Sequence, residues 1–229
     1  KTSITGGVAA SLALMGHTVL CIDMDIGLRN LDITLGLSDR ALMDFSDVAL
    51  GRCPLARGAV DHPDVKGLSL LTAPMSLSPS LTIDKVRAML DTARGQYDYI
   101  LIDSPAGLGA GFRLAICGAD RALVIATNDA SSLRDAQRTV CELESIRQVH
   151  LIMNRIQPKL LRKLRATIDD AMNTAGLPLI GVVPEDDQVM LAANLGQPLT
   201  AQGRRGAALA CWNIALRLDG NQVPIMRIR

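Results

Sequence analysis

The sequence predicts an α/β fold with a mostly parallel sheet. Short apolar runs alternate with stretches of helical character along all 229 residues, which is the order typical of repeated strand–helix units. Hydrophobic residues make up 48% of the chain and aromatic residues only 2%, so the core is aliphatic, as in parallel sheets covered on both faces. No internal repeat or linker interrupts the pattern, and we therefore expect a single domain over residues 1–229.

Six apolar runs are predicted to be strands. Each is rich in leucine or β-branched residues, is bounded by turn residues or charges, and is too short for an ordinary helix. In chain order they are residues 17–23 (HTVLCID), 67–73 (GLSLLTA), 97–103 (YDYILID), 121–127 (RALVIAT), 149–155 (VHLIMNR) and 177–183 (LPLIGVV).

Helices are predicted between these runs and after the last of them. Four helical stretches separate or precede strands, and a fifth follows the final strand. They cover residues 5–15, 83–93, 132–145, 160–175 and 209–218.

Charge and cysteine content exclude several classes of protein. The 24 Lys and Arg residues nearly balance the 23 Asp and Glu residues, so bulk charge gives no reason to expect a nucleic-acid partner. The five cysteines are widely spaced and form no CxxC pair, which predicts buried, reduced thiols rather than disulfides or a zinc site. No apolar run approaches the roughly 18 residues of a membrane span. These observations predict a cytoplasmic protein.

Polar residues gather where the predicted strands end. Ligands of open α/β sheets bind beyond the carboxyl ends of the strands. The tips read Asp23-Met24-Asp25, Asp103-Ser104-Pro105-Ala106-Gly107, Thr127-Asn128, Asn154-Arg155 and Pro184-Glu185-Asp186. A polar turn can end any single strand, but five such tips together predict a site.

The first two residues, Lys1 and Thr2, directly precede a predicted helix. A P-loop ends in the same Lys-[ST] pair, whose amine neutralises phosphate charge and whose hydroxyl ligates Mg²⁺. The pair alone carries little weight. It gains weight because YILID ends on Asp103, where a Walker-B carboxylate would hold Mg²⁺ through its water shell.

Four segments resemble the MinD family of septum-site-determining ATPases. They are residues 22–37 (IDMDIGLRNLDITLGL), 103–112 (DSPAGLGAGF), 127–138 and 182–199, and the similarity extends over essentially the whole chain. The resemblance implies a three-layer P-loop NTPase fold with helices on both faces of the sheet. The family has a deviant Walker-A loop, KGGVGKT, so we expect Lys1 to be the last lysine of that loop, with the first strand and most of the loop absent from this sequence.

The resemblance implies a site for ATP and Mg²⁺ and assigns roles at the strand tips. One group would act on the phosphates: Lys1 contacts the β/γ-phosphates and takes part in catalysis, Ser3 adds a phosphate contact, and Gly107 allows close approach of the γ-phosphate. Thr2 and Asp103 would ligate Mg²⁺, with Asp23 beside them. Asp25 would orient the attacking water. A second group would hold the base and ribose: Asn154, Arg155, Pro184 and Glu185, with Asp186 in the same loop.

Other family-specific positions have less defined roles. Asp135, preceded by Arg134, matches a position linked to partner and switch behaviour, although an exposed charge at a helix start is an equally simple account. Arg29 and Asn30 are expected on the nucleotide-dependent surface. The basic run KLLRKLR (residues 159–165) could contact DNA, but its spacing favours a solvated face beside an apolar stripe.

The resemblance also implies the partners of this protein. We expect a homodimer in the ATP-bound state, binding to the topological and inhibitory partners of the Min system, and contact with membrane lipid. We expect no nucleic-acid partner. The usual C-terminal amphipathic helix is not evident, since the chain ends GNQVPIMRIR, with Pro224 disfavouring a helix and apolar residues alternating with Arg227 and Arg229. Flagellar-number (FlhG-type) and chromosome-partitioning (ParA-type) ATPases share the architecture, and Arg29 favours MinD. A non-hydrolysing nucleotide-binding scaffold is the alternative of a different class.

Overall fold

The computed structural model describes residues 1–38 and 40–228, and Arg229 of the C-terminal tail lies outside the described residues. All six predicted strands are present within a residue or two of their expected ends, which confirms the α/β class. The strands are β1 (Val19–Asp23), β2 (Val60–Asp61), β3 (Leu68–Leu71), β4 (Tyr99–Asp103), β5 (Arg121–Ala126), β6 (Gln148–Ile156) and β7 (Leu179–Pro184). The two-residue β2, which pairs antiparallel to β3, is too short to give a sequence signal.

Four of the five predicted helices are present, the fifth stretch is divided between two helices, and several short helices were not predicted. In chain order the helices are α1 (Thr2–Leu14), α2 (Leu31–Leu35), α3 (Phe45–Ala49), α4 (Leu55–Gly58), α5 (Ile83–Arg94), α6 (Ala110–Ile116), α7 (Ala130–Cys141), α8 (Pro158–Leu164), α9 (Ile168–Ala175), α10 (Asp187–Asn194) and α11 (Gly206–Leu218), with a 3₁₀ helix at Leu199–Gln202.

The single helix predicted over residues 160–175 is wrong, because two helices occupy this stretch. Arg165 has a left-handed backbone (φ 50°) that ends α8. Thr167 then starts α9 with a capping box, in which its hydroxyl accepts from the Asp170 N–H while the Asp170 carboxylate accepts from the Thr167 N–H. The apolar periodicity continues across this break, so periodicity alone did not reveal it.

The described residues form two compact units, and the prediction of a single domain stays a prediction. The first unit comprises Lys1–Gly118 and Gln188–Gly203, and its sheet has the order β2-β3-β1-β4. Leu20 and Ile22 of β1 pack with α5, and α1 packs against β1 and β4. All five residues of β1 are buried, so both faces of this strand are covered and the unit is layered helix–sheet–helix.

The second unit comprises Ala119–Asp187 and the described residues from Arg204 onward. Its sheet, β5-β6-β7, is parallel throughout. Helix α7 packs on β5 and on α9, and α11 packs on β7. Gly181 of β7 lies so close to α11 that an added Cβ would meet the Ile214 side chain at 2.4 Å, which explains a glycine inside a strand.

The prediction of buried thiols is correct for two cysteines and wrong for three. All five cysteines are free; Cys21 and Cys211 are buried, Cys53 and Cys117 are partly buried, and Cys141 is exposed. Burial raises the pKa of Cys211 to about 12, which keeps this thiol protonated and unreactive. Among the described residues, no helix is both long enough and apolar enough to cross a membrane.

Candidate functional site

Two buried carboxylates meet at the edge of the first unit's sheet. Strands β1 and β4 are parallel neighbours, and their register places Asp23 beside Asp103 at the carboxyl ends of both strands. The two residues are only 1% and 2% exposed. Charged groups are rarely buried without partners, so the contacts of each carboxylate indicate its role.

Asp103 faces the first turns of α1. The Thr5 hydroxyl donates a hydrogen bond to Asp103 Oδ1 (3.1 Å). Burial raises the pKa of Asp103, and hydrogen bonds from Thr2 and Thr5 oppose that rise. The structure therefore brings Thr2 and Asp103 together, as the sequence predicted. Thr5 was missed; its place three residues after Thr2, on the same helix face, is the signal that could have found it.

Asp23 holds the loop that carries Asp25. Its Oδ1 accepts the Asp25 N–H (2.8 Å) and its Oδ2 accepts the Leu31 N–H (3.1 Å). Burial raises the pKa of Asp23 to about 6, although these two backbone hydrogen bonds oppose the rise. Both carboxylate oxygens thus have a structural use, tying both ends of this loop to the end of β1. Its role beside a metal stays a prediction.

The loop after β1 turns back on itself at Asp25, which is partly buried. The Asp25 carbonyl oxygen accepts the N–H groups of Leu28 (3.2 Å) and Arg29 (3.4 Å). Arg29 has a left-handed backbone (φ 49°), and its Nε is buried without a hydrogen-bond partner among the described residues. Its guanidinium lies 4.0 Å from Asp32. These main-chain hydrogen bonds, together with the Asp23 carboxylate, therefore hold the loop.

Lys1 lies beside the loop that follows β4. Its Nζ donates a hydrogen bond to the carbonyl oxygen of Pro105 (3.1 Å). Ser3 is partly buried in the first turn of α1. Gly107 has a positive φ (79°), and no atom lies within 4 Å of the position a Cβ would take. The loop therefore leaves open space at Gly107, where a ligand could approach the backbone.

The four predicted base-site residues lie together at one edge of the second unit. Asn154 and Arg155 belong to the end of β6, and Pro184 ends β7 opposite Ile156. The Glu185 N–H donates to the Ile156 carbonyl (3.1 Å). Sequence reasoning missed that Arg155 pairs with Glu185: the Arg155 Nε and Nη2 donate to the carboxylate at 2.9–3.1 Å. These hydrogen bonds lower the pKa of Glu185.

Asp186 has a structural role that differs from the predicted base contact. Its Oδ2 accepts the Ala207 N–H (2.8 Å) at the start of α11, where a carboxylate also interacts favourably with the helix dipole. An added Cβ at Gly206 would lie 2.0 Å from the same oxygen, so a side chain there would displace the Asp186 carboxylate. Asp135 lies exposed in the middle of α7, whose N-terminal cap is Asp129.

The residues at the first unit's rim fit a magnesium site. Among the residues the structure describes, no three His, Cys, Asp or Glu side chains cluster to hold a metal by themselves. Mg²⁺ needs no such cluster, because it keeps several waters and takes one or two protein oxygens together with substrate phosphates. The Thr2 hydroxyl and the Asp103 carboxylate are hard oxygen donors of this kind.

A helix N-terminus beside oxygen ligands, at the carboxyl ends of parallel strands, is the arrangement in which nucleotide-binding α/β proteins hold phosphates with Mg²⁺. Comparison with known families agrees: residues 1–199 match the CobQ/CobB/MinD/ParA nucleotide binding domain. The septum site-determining protein MinD of Helicobacter pylori is 38% identical over 240 residues, covering 100% of this chain and 89% of that protein. The chain therefore belongs to the CobQ/CobB/MinD/ParA family, and within it to the MinD ATPases.

Two further comparisons support the family and the fold. The MinD protein of Synechocystis is 34% identical over 231 residues, covering 99% of this chain and 87% of that protein. The solved MinC:MinD cell division protein complex of Aquifex aeolicus aligns with a TM-score of 0.91 at 35% identity, covering 99% of this chain and 93% of the solved chain. The predicted family and three-layer P-loop NTPase fold are confirmed, while the individual site residues stay predictions.

A pH-dependent contribution to stability is expected from Asp23. Its pKa is raised to about 6 in the folded state from 3.8, so the folded state holds this proton more tightly and stability falls as the pH rises from 4 to 6. Over that window the loss is about 2 kcal/mol. Asp23→Asn cannot titrate and does not lose this contribution. The free energy of unfolding of Asp23→Asn minus that of the unsubstituted protein should therefore increase by about that amount as the pH rises from 4 to 6.

The measurement is urea denaturation from pH 4 to pH 7 without divalent cations. Asp84→Asn is the matched control, because Asp84 is an exposed carboxylate whose side chain is 89% accessible. A stability difference between Asp23→Asn and the unsubstituted protein that stays constant across this range would contradict the prediction.

Proposed function

We propose that this protein binds Mg-ATP, dimerises in the ATP-bound state and associates reversibly with the inner face of the cell membrane to position the division septum. The observation that carries the proposal is the contact of Asp103 with Thr2 and Thr5 at the start of α1. Asp103, which we propose as the Walker-B carboxylate, is thereby close to the hydroxyl of a Lys-Thr pair. Membership of the MinD ATPases supports the biological role.

The phosphate part of the site is proposed to lie at the start of α1. Lys1 would exchange its hydrogen bond to the Pro105 carbonyl for the β- and γ-phosphate oxygens, where its charge offsets theirs. Ser3 would add a hydroxyl in the first turn, where the helix dipole favours anions. Gly107, with open space beside its backbone, would let the γ-phosphate approach the loop after β4.

Thr2 and Asp103 would hold Mg²⁺, which supplies charge neutralisation for the phosphates when bound. Asp103 is already oriented by the Thr5 hydroxyl, so its carboxylate needs little rearrangement. Asp25 would orient the attacking water, the task that phosphoryl transfer leaves to the protein. Asp23 holds the Asp25 backbone by accepting the Asp25 N–H. The main-chain position from which the Asp25 side chain extends is therefore fixed.

The second unit is proposed to recognise the adenine and ribose. The Asn154 amide both donates and accepts in one plane, which suits the edge of a purine. Arg155 and Glu185 form a bidentate pair that fixes the loop after Pro184. This pair would form one wall of the base site.

Partners follow from the relatives. The Aquifex aeolicus MinD aligned above was solved in a complex with MinC, and we propose a MinC-like inhibitory partner and a topological partner for this protein. ATP hydrolysis, stimulated by a partner, would release the dimer from the membrane. The protein would therefore alternate between cytoplasm and membrane surface.

The test is the molar mass of the full-length protein by light scattering, with ADP and with ATP in the presence of Mg²⁺, together with phosphate release. We expect a monomer with ADP, a dimer with ATP, and hydrolysis of ATP. A protein that stays monomeric with ATP would contradict the proposed dimer, and a dimer without phosphate release would favour the non-hydrolysing scaffold.

A further inference from the structure

Helix α8 presents leucines and cations to solvent. None of its residues is buried. Leu160 and Leu164, which lie four residues apart and therefore on one face, are 46% and 55% exposed. Lys159, Arg162 and Lys163 are exposed as well. The sequence predicted a solvated face beside an apolar stripe, and the structure places that apolar stripe in water too.

The C-terminal segment lies beside this helix and is fixed there by Arg217. The Arg217 guanidinium donates three hydrogen bonds: Nη1 to the Ile180 carbonyl of β7 (2.8 Å), Nε to the Val223 carbonyl (3.0 Å) and Nη2 to the Pro224 carbonyl (2.6 Å). The next residues, including Met226, line a cavity of about 380 Å³ together with residues of α8 such as Leu161. The tail is therefore anchored to β7 next to α8.

Together these residues form what we call the α8–tail surface: Lys159, Leu160, Arg162, Lys163, Leu164 and Arg165 with Ile225 and Arg227. Ile225 is 39% exposed, and Arg165 and Arg227 are exposed. The surface thus combines three exposed aliphatic side chains with five cations. The whole chain carries a net charge of only +1, so this is a local concentration of positive charge.

No carboxylate in the described part of the chain neutralises these cations, since none of the five forms an ion pair there. The nearest acidic residues along the chain, Asp169 and Asp170, are in the first turn of α9. The Asp170 carboxylate is engaged by the Thr167 N–H and hydroxyl, and Asp169 lines the cavity beneath the tail. The cations therefore remain available to an external anion.

We propose that the α8–tail surface contacts an anionic lipid surface directly, with Leu160, Leu164 and Ile225 entering the boundary between headgroups and acyl chains. Exposed leucines interleaved with cations match that environment. Duplex DNA is the less suitable partner, because its phosphates would engage the cations but would leave the aliphatic side chains of Leu160, Leu164 and Ile225 in water. The inference rests on the proposed membrane association and assigns part of it to the body of the protein.

The test is co-sedimentation of the full-length protein with vesicles of phosphatidylcholine alone or with 30% phosphatidylglycerol, without nucleotide and with Mg-ATP. Arg162→Gln/Lys163→Gln should weaken binding to the anionic vesicles at least about tenfold, since each cation near such a surface contributes measurably. Leu160→Ser/Leu164→Ser should also weaken it. The matched control is Arg138→Gln/Arg147→Gln, two exposed arginines outside this surface, which should change binding little.

Tryptophan fluorescence checks that the variants keep the fold of the second unit. Trp212 is the single tryptophan and lies under the Arg204 guanidinium, 3.5 Å from the ring centroid. Its emission should be the same in the variants as in the unsubstituted protein. If the α8 variants bind anionic vesicles as well as the control does, the inference is wrong while the proposed ATP-dependent membrane association stands. If the unsubstituted protein binds no vesicle in any nucleotide state, both fail. If the α8 variants lose affinity for duplex DNA and not for vesicles, the surface is a nucleic-acid surface and the inference is overturned.

Discussion

Replacing Asp25 by Ala is expected to abolish most ATP turnover and leave nucleotide binding nearly intact. The backbone of this loop is held by the Asp23 carboxylate and by hydrogen bonds from Leu28 and Arg29 to the Asp25 carbonyl, and none of these contacts uses the Asp25 side chain. The substitution therefore removes the group that orients the water without collapsing the loop. Losing one such positioned group costs a factor of about 100 or more in turnover.

The measurement is steady-state phosphate release, paired with the dissociation constant for ATP, for Asp25→Ala and for Asp84→Ala as a control at an exposed carboxylate on α5. The control should hydrolyse ATP at the unsubstituted rate. Turnover by Asp25→Ala within a factor of three of the unsubstituted rate would remove Asp25 from the catalytic role.

Gly36→Ala is expected to destabilise the first unit by about 3 kcal/mol or more. Gly36 ends α2 in the left-handed conformation (φ 69°), and an added Cβ would lie 2.0 Å from the Gly196 carbonyl oxygen at the end of α10. The substitution therefore combines left-handed strain, about 1 kcal/mol for a residue with a Cβ, with an overlap against backbone that cannot rotate away.

Gly51→Ala separates these two costs. Gly51 has a similar backbone (φ 74°), but no atom lies within 4 Å of its Cβ position, so only the left-handed strain applies. Urea denaturation should show a loss for Gly36→Ala that exceeds the loss for Gly51→Ala by about 2 kcal/mol. Equal losses of unfolding free energy for the two variants would contradict the prediction. They would mean that the backbone at Gly196 moves away from a Cβ at position 36 at little cost.

Much of the fold could be predicted because its strands are continuous apolar runs. Parallel strands covered on both faces have no polar alternation to confuse the pattern, and β1, β3 and β4 were found within two residues of their ends. The pairing of Asp23 with Asp103 was predictable as well, since each ends its own strand and parallel neighbours finish at one edge. The contact of Thr2 with Asp103 followed from the motif.

Other features depend on contacts that no local pattern encodes. The break at Arg165 comes from a left-handed residue followed by the Thr167–Asp170 capping box, within a stretch whose apolar periodicity suggests one helix. Asp186 lies near the end of a strand, as Asp103 does, yet its carboxylate accepts the N–H of Ala207 at the start of α11, 21 residues later in the chain. Neither the Arg155–Glu185 pair nor the exposure of Leu160 and Leu164 has a sequence signature, because both depend on what the tertiary structure brings near.

The central claim is that Thr2 and Asp103 form a magnesium-dependent nucleotide site at the start of α1. The most direct test is the affinity of the full-length protein for a fluorescent ATP analogue, with Mg²⁺ and with chelator, for the unsubstituted protein and for Asp103→Asn. We expect saturable binding that weakens at least tenfold when Mg²⁺ is removed, and a much smaller effect of Mg²⁺ on Asp103→Asn. Binding that is equally tight with and without Mg²⁺, or equally magnesium-dependent in both proteins, would contradict the assignment.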